Sequence, residues 1–128
     1  MRRREFLRVS AAAVLAIDSA SSAFAAPGEN MFGLIGKMIA APGKRDELVA
    51  ILLESVAKMP GCLSYIVAKD TDDPNAIWIT EAWDSKASHD ASLSLAAVQA
   101  AIAKARPLIA CFGDRVITTP VGGYGLAS

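Results

Sequence analysis

Two apolar runs of strand length, Cys62–Lys69 and Ala76–Asp84, are separated only by the polar stretch Asp70-Thr71-Asp72-Asp73-Pro74-Asn75. Runs rich in β-branched and aromatic residues, broken by a cluster of Asp, Asn and Pro, read as two strands joined by a turn. Side chains alternate along a strand. Ile77, Ile79, Glu81 and Trp83 therefore share one face of the second run, and Trp78, Thr80 and Ala82 the other; Leu63, Tyr65 and Val67 share a face of the first. Large apolar residues stand on both faces, so the sheet built on this pair has to be covered twice.

The flanking segments supply one cover. Met31–Ala40 is a largely apolar run and reads as a strand, and Ala41-Pro42-Gly43-Lys44 as a turn. From there to about Met59, Leu48, Ile51, Leu52, Ser55 and Val56 recur at helical spacing, until Pro60-Gly61 ends the helix. Ser85 is placed to cap a second helix whose stripe Val98, Ala101, Ile102 and Ala105 runs to Arg106-Pro107. Cys111–Thr119 reads as the last strand, and residues 123–128 as a flexible tail. The order β-α-β-β-α-β is the ferredoxin-like α+β arrangement, an antiparallel sheet with its helices on one face. No element is left for the other face. A second copy of the chain is the expected cover, which makes the protein a homodimer with sheet packed on sheet.

The N-terminus reads differently. Met1-Arg2-Arg3-Arg4-Glu5-Phe6-Leu7-Arg8 is basic, an Ala- and Val-rich run follows, and Ala23-Phe24-Ala25 offers small residues at cleavage spacing. This is the order of an export signal, and Arg3-Arg4-x-Phe6-Leu7 resembles the twin-arginine type. Asp18 interrupts the run, which argues against a membrane anchor. The expectation is a signal over residues 1–25, a lead-in over 26–30, a folded domain over 31–122, and a periplasmic or secreted destination. Cleavage after Ala25 leaves 9 of the 13 basic and 11 of the 13 acidic residues. That balance gives no basic stripe for nucleic acid. Cys62 and Cys111 are expected to be unpaired, buried thiols, because twin-arginine export carries proteins that are already folded.

The chemistry-bearing residues gather in one stretch. Pro60-Gly61-Cys62-x-x-Tyr65, Glu81-x-Trp83, His89-x-x-Ser92-Leu93, Val98-Gln99-x-x-Ile102 and Phe112-Gly113 together resemble the antibiotic biosynthesis monooxygenase domain, most nearly its quinol monooxygenase branch. The resemblance spans roughly residues 31–122. It implies a dimeric α+β barrel and the oxidation of quinols or polycyclic phenols by O2 without metal or flavin. Several oxygenases and haem degraders of this superfamily carry an Asn on the first strand. Met31–Ala40 has none, and Trp83 and His89 are more closely spaced than the haem degraders' Trp and His.

Oxygen chemistry without a cofactor needs an electron-rich substrate, which a quinol or phenol becomes on losing a proton. The protein must supply a base, a dry pocket and an aromatic wall. His89, the chain's only histidine, is the base, since imidazole exchanges protons near neutrality. Trp83 offers the wall, Tyr65 a hydrogen bond to a substrate oxygen, and Arg106 a partner for an anionic oxygen. Glu81, on an apolar strand face, is placed to orient His89 or to pair across the dimer. A single His without clustered Cys or carboxylates does not make the usual zinc or iron set. A protein that binds a small aromatic or quinone without turning it over is the alternative, with haem binding behind it.

Overall fold

The structure, a computed structural model, describes residues 30–56 and 59–126. The export signal expected over residues 1–25 and most of the lead-in lie outside them. Four strands, β1 (Phe32–Ala40), β2 (Cys62–Lys69), β3 (Ala76–Trp83) and β4 (Ile109–Thr118), form one antiparallel sheet in the order β2-β3-β1-β4. Helices α1 (Arg45–Glu54), α2 (Lys86–Ser92) and α3 (Ala96–Ala105) complete the expected βαββαβ ferredoxin-like fold, and a short 3-10 turn over Arg106–Leu108 leads into β4.

Local chemistry sets the element boundaries. Pro42 and Gly43 occupy the centre of a turn closed by Lys44 N–H donating to the Ala41 carbonyl at 2.9 Å; Gly43 takes φ +79°, which its missing Cβ permits. Asp46 and Glu47 then sit in the first turn of α1, where the helix dipole favours negative charge. Arg45 ties that turn to the β2–β3 loop, its Nη1 donating to the carbonyls of Asp70, Asp73 and Ala76 at 3.1, 2.9 and 3.3 Å. Within the loop, Asp70 Oδ1 accepts from the amides of Asp72 and Asp73 at 2.8 and 2.9 Å, and its Oδ2 from Trp78 Nε1 at 2.8 Å. These bonds to the charged form lower the Asp70 pKa to about 2, the Asp73 amide contributing most.

Several sequence expectations are corrected. The first helix was expected to reach Met59; as an α-helix it stops at Glu54, where the Ser55 hydroxyl turns back to the Leu52 carbonyl at 3.4 Å. The second helix was expected to be continuous from Ser85 to Arg106. It divides into α2 and α3, because the Ser92 hydroxyl donates to the His89 carbonyl at 2.6 Å, the chain from Leu93 to Leu95 tightens into i→i−3 bonds, and Leu95 adopts extended backbone. Finally, a bulge between Cys62 and Ser64 sets Cys62, not Leu63, opposite Trp83, on the strand face that Tyr65 and Val67 share. The cysteines are free, as expected, but not buried: Cys62 is half-buried and Cys111 exposed.

The helices cover one face of the sheet. Leu48 and Ile51 of α1 and Ala101 and Ala105 of α3 pack on Ala40, Ile77 and Ile79, with Leu108 closing the edge. A second, smaller cluster, Phe32, Leu34 and Trp83, lies at the other end of β1 and β3, with Cys62 and Met59 packed on it. Ile35, Ile66 and Val116 remain exposed. Their register places them on the face opposite the helices.

Candidate functional site

Between the helix-covered face and the helices lies a cavity of about 640 Å³. Met38, Tyr65, Glu81, Trp83 and Phe112 line it from the strands, Leu52 from α1, His89 and Ser92 from α2, and Val98, Ala101, Ile102 and Ala105 from α3, with Arg106 at the end of α3. The five residues singled out in the sequence, His89, Trp83, Tyr65, Glu81 and Arg106, thus all line one space. The lining is otherwise mostly apolar, as suits a small-molecule site.

His89 is held in place from below. Its ring centroid lies 5.0 Å from Phe32 and 5.5 Å from Trp83, the latter edge-on at 84°. Its side chain is 12% exposed. Helix α2 presents it at this height for two reasons. Ser85 caps the helix by accepting from Ser88 N–H at 3.1 Å. Gly61 lets the Pro60-Gly61-Cys62 turn press against the helix start: its φ is +86°, and an added Cβ would fall 2.5 Å from Ser88 Cβ and 2.8 Å from Asp84 Oδ1. The glycine in that motif is therefore a packing device for the helix that carries His89.

The ring nitrogens of His89 differ. Nδ1 faces Asp90 Oδ1 at 3.1 Å, and Asp90 is held in turn by Lys86 Nζ at 2.7 Å. Lys86 first, then His89, keeps the Asp90 carboxyl below its ordinary pKa. A proton on Nδ1 directed at this carboxylate leaves the lone pair on Nε2. Asp90 is half exposed, so the pair orients the ring more than it stabilises the fold.

Glu81 carries the other carboxylate of the cavity. Burial pushes its pKa up; the Trp83 indole N–H, donating to Oε1 at 2.8 Å, and the charges of His89 and Arg115 pull it back. The bond to Trp83 fixes both the carboxyl and the plane of the indole. Trp83 is 1% exposed, so this wall does not move without disturbing its cluster. Burial, with Glu81 and Cys62 nearby, pushes the Tyr65 hydroxyl up, so it stays protonated as a donor. Burial likewise raises the Cys62 thiol, which keeps it from acting as a ready thiolate. Among the described residues, no three His, Cys, Asp or Glu side chains are gathered into a metal-ligating group.

Three participants were missed in the sequence. Asp90 carries a signal, a carboxylate next to the only histidine. Phe112 figured only as part of a motif; it is 70% exposed and lines the cavity from the edge strand. Arg115 reaches the charge field of Glu81 because it stands opposite Gly36 in the β1–β4 register. Register shifts along that pairing hide this from the sequence.

The sequence profile of the antibiotic biosynthesis monooxygenase family matches residues 31–104. A candidate antibiotic biosynthesis monooxygenase from Chloroflexus aurantiacus J-10-fl, of solved structure, is 62% identical over 77% of this chain and all of its own, with a TM-score of 0.75. Two more distant structures share the fold: a protein from Bacteroides thetaiotaomicron (18% identity, 76% of this chain and 95% of its own, TM-score 0.67) and one from Caulobacter crescentus (20%, 82% and 98%, TM-score 0.62). No curated protein matches the chain.

Proposed function

The chain belongs to the antibiotic biosynthesis monooxygenase family, and we propose that it oxidises a quinol or related phenol with O2, using no cofactor, as in the family's quinol monooxygenase branch. The observation that carries this reading is His89 set edge-on against Trp83 in a mostly apolar cavity. A phenolic ring lies in the mostly apolar cavity beside His89, whose imidazole the buried Trp83 holds in place. Its hydroxyl gives a proton to Nε2 of His89, and the Tyr65 hydroxyl donates to the second substrate oxygen. The resulting phenolate is electron-rich enough to pass electrons to O2. A quinol losing two electrons and two protons yields the quinone, and O2 taking them up yields hydrogen peroxide. Arg106 holds an anionic oxygen at the far end of the cavity.

Oxygen uptake by the purified chain with reduced quinols tests this reading. A general base of this kind contributes about 10²–10⁴-fold, the loss expected for His89→Ala. A rate no higher than autoxidation, or one unchanged by that substitution, refutes it. A second reading, a binding protein for a small aromatic or quinone, is favoured by one feature. The β1 residues in register with the cavity-facing side, Leu34, Gly36 and Met38, carry no hydrogen-bonding side chain, so that strand does not help hold a substrate oxygen. Saturable quenching of Trp83 fluorescence with no product separates the two.

The exposed Ile35, Ile66 and Val116 are the face on which a second copy packs. Sedimentation of the 26–128 chain as a monomer at micromolar concentration contradicts the homodimer. Export by the twin-arginine route to the periplasm or beyond predicts that changing Arg3 and Arg4 to Lys blocks secretion; unchanged secretion contradicts it.

A further inference from the structure

Beside the main cavity lies a second one of about 330 Å³. The two share Met38, Glu81 and Phe112 in their walls, so they are neighbouring compartments with Phe112 at the junction. The floor of the annex is Leu34, Gly36 and Ile79, and it owes its space to Gly36: a Cβ built there meets no atom within 4 Å. Across from Gly36, on β4, stands Arg115. It lines the annex and, among the described residues, makes no ion pair. The other charged residues lining the annex are accounted for differently. Lys37 carries its ammonium 5.5 Å from the Trp78 ring centroid, Glu81 is bonded to Trp83, and Asp114 precedes Arg115 in the strand.

We propose that the annex is an anion subsite in which Arg115 holds the carboxylate of a ligand whose ring lies beside His89 in the main cavity. The proposal rests on the reading that a phenol occupies that cavity, and it narrows the ligand to a hydroxylated aromatic acid with its acid group on a short arm. The spacing suits this shape. Arg115 and Trp83 are two strands and four residues apart in register, about 17 Å between Cα atoms at ordinary sheet spacings. That span takes one ring in the main cavity and a short substituent that reaches the annex. Arg115 is an exposed residue of the edge strand, and its guanidinium presents a planar pair of donors to a carboxylate. Two carboxylates, Glu81 and Asp114, line the same space and limit the site to a single added negative charge.

The test is binding, measured by calorimetry under nitrogen so that turnover plays no part. The probes are 2,5-dihydroxyphenylacetate and its methyl ester, which exchanges the charge for one methyl group. The acid is expected to bind the wild-type chain about ten-fold more tightly, as a charge-assisted bond predicts. Arg115→Gln brings the ratio of the two Kd values to about one, Arg115→Lys restores part of it, and Asp114→Asn raises it. Gly36→Leu, which fills the annex without entering a forbidden backbone region, also lowers the ratio. Equal binding of acid and ester by the wild type overturns the proposal, as does failure of both to bind at millimolar concentration. A ratio that survives Arg115→Gln but falls in Arg106→Gln overturns it too, by moving the anion site to the other end of the cavity. A preference for the acid without any oxygen uptake would keep the subsite and remove the oxidase; the reverse result would do the opposite.

Discussion

Strand β3 crosses two regions of opposite character. At its start, Ile77 is fully buried under α1 and α3, and alanines at 40, 101 and 105 let the helices settle onto the strands. At its end, Glu81 and Trp83 face a cavity, covered by a seven-residue helix that local devices hold in place. The same alternation of side chains serves both. What differs is the roof: small residues spaced along α3 close one region, while the break between α2 and α3 and the bulky, partly polar residues around it keep the other open. Stability is therefore concentrated at one end of the strand and chemistry at the other.

The sharpest way to break this contrast is to truncate one side chain in each region. Ile77→Ala is expected to cost about 2–5 kcal/mol of unfolding free energy in urea. Phe112→Ala, at the exposed edge of the cavity, is expected to stay within about 0.5 kcal/mol. Equal costs would mean that the regions are not energetically distinct. Next comes the turn that seats α2. Gly61→Ala forces a side chain into left-handed backbone and against Ser88, at a cost of at least about 1–2 kcal/mol, and should tilt His89 away from Trp83. Ser85→Ala removes only the cap, about 1 kcal/mol, with a matching loss of amide protection confined to α2.

The two smaller effects depend on pH and have opposite signs. Burial raises the Glu81 pKa, so the contribution of this group is fully present below the unfolded carboxylate pKa and is lost as pH rises through the folded value. Glu81→Gln, whose amide oxygen can still accept from Trp83, should therefore raise the melting temperature at pH 7 and leave it nearly unchanged at pH 4. Asp70 is the reverse case. Its folded pKa, about 2 against an ordinary 3.8, means that its contribution is present above the ordinary value and falls away between about pH 4 and pH 2. Asp70→Asn should flatten the acid limb of the melting curve over that interval. A Glu81→Gln effect at pH 4 as large as at pH 7 would show that lost packing, not charge, sets the stability of the open region.

The fold was legible in the sequence because its signals are local. Period-two runs mark β2 and β3, an Asx-rich loop joins them, and Pro-Gly and Ser85 punctuate the helices. The site was legible in part for the same reason: Tyr65, Glu81, Trp83 and His89 come from three consecutive elements, so knowing the order of elements was enough to bring them together. What escaped depends on competition or on register. Nothing in the apolar stripe of residues 98–105 shows that Ser92 will turn its hydroxyl back on the helix and end it. Nothing in Ile109–Thr118 shows that Arg115 will stand opposite Gly36, since two irregularities in the β1–β4 pairing separate that position from the start of the strand. Cys111, expected to be buried, lies on an edge strand that, among the described residues, has a neighbour only on one side.

Arg45 bears on how the molecule breathes. One guanidinium nitrogen shares its hydrogens among three carbonyls of the β2–β3 loop and the start of β3, so the first turn of α1 and the tip of the hairpin are latched to each other. Neither can fray while the other stays in place. Amide hydrogens in both segments should then exchange with solvent in one cooperative event, at the slow rate of that whole end of the sheet.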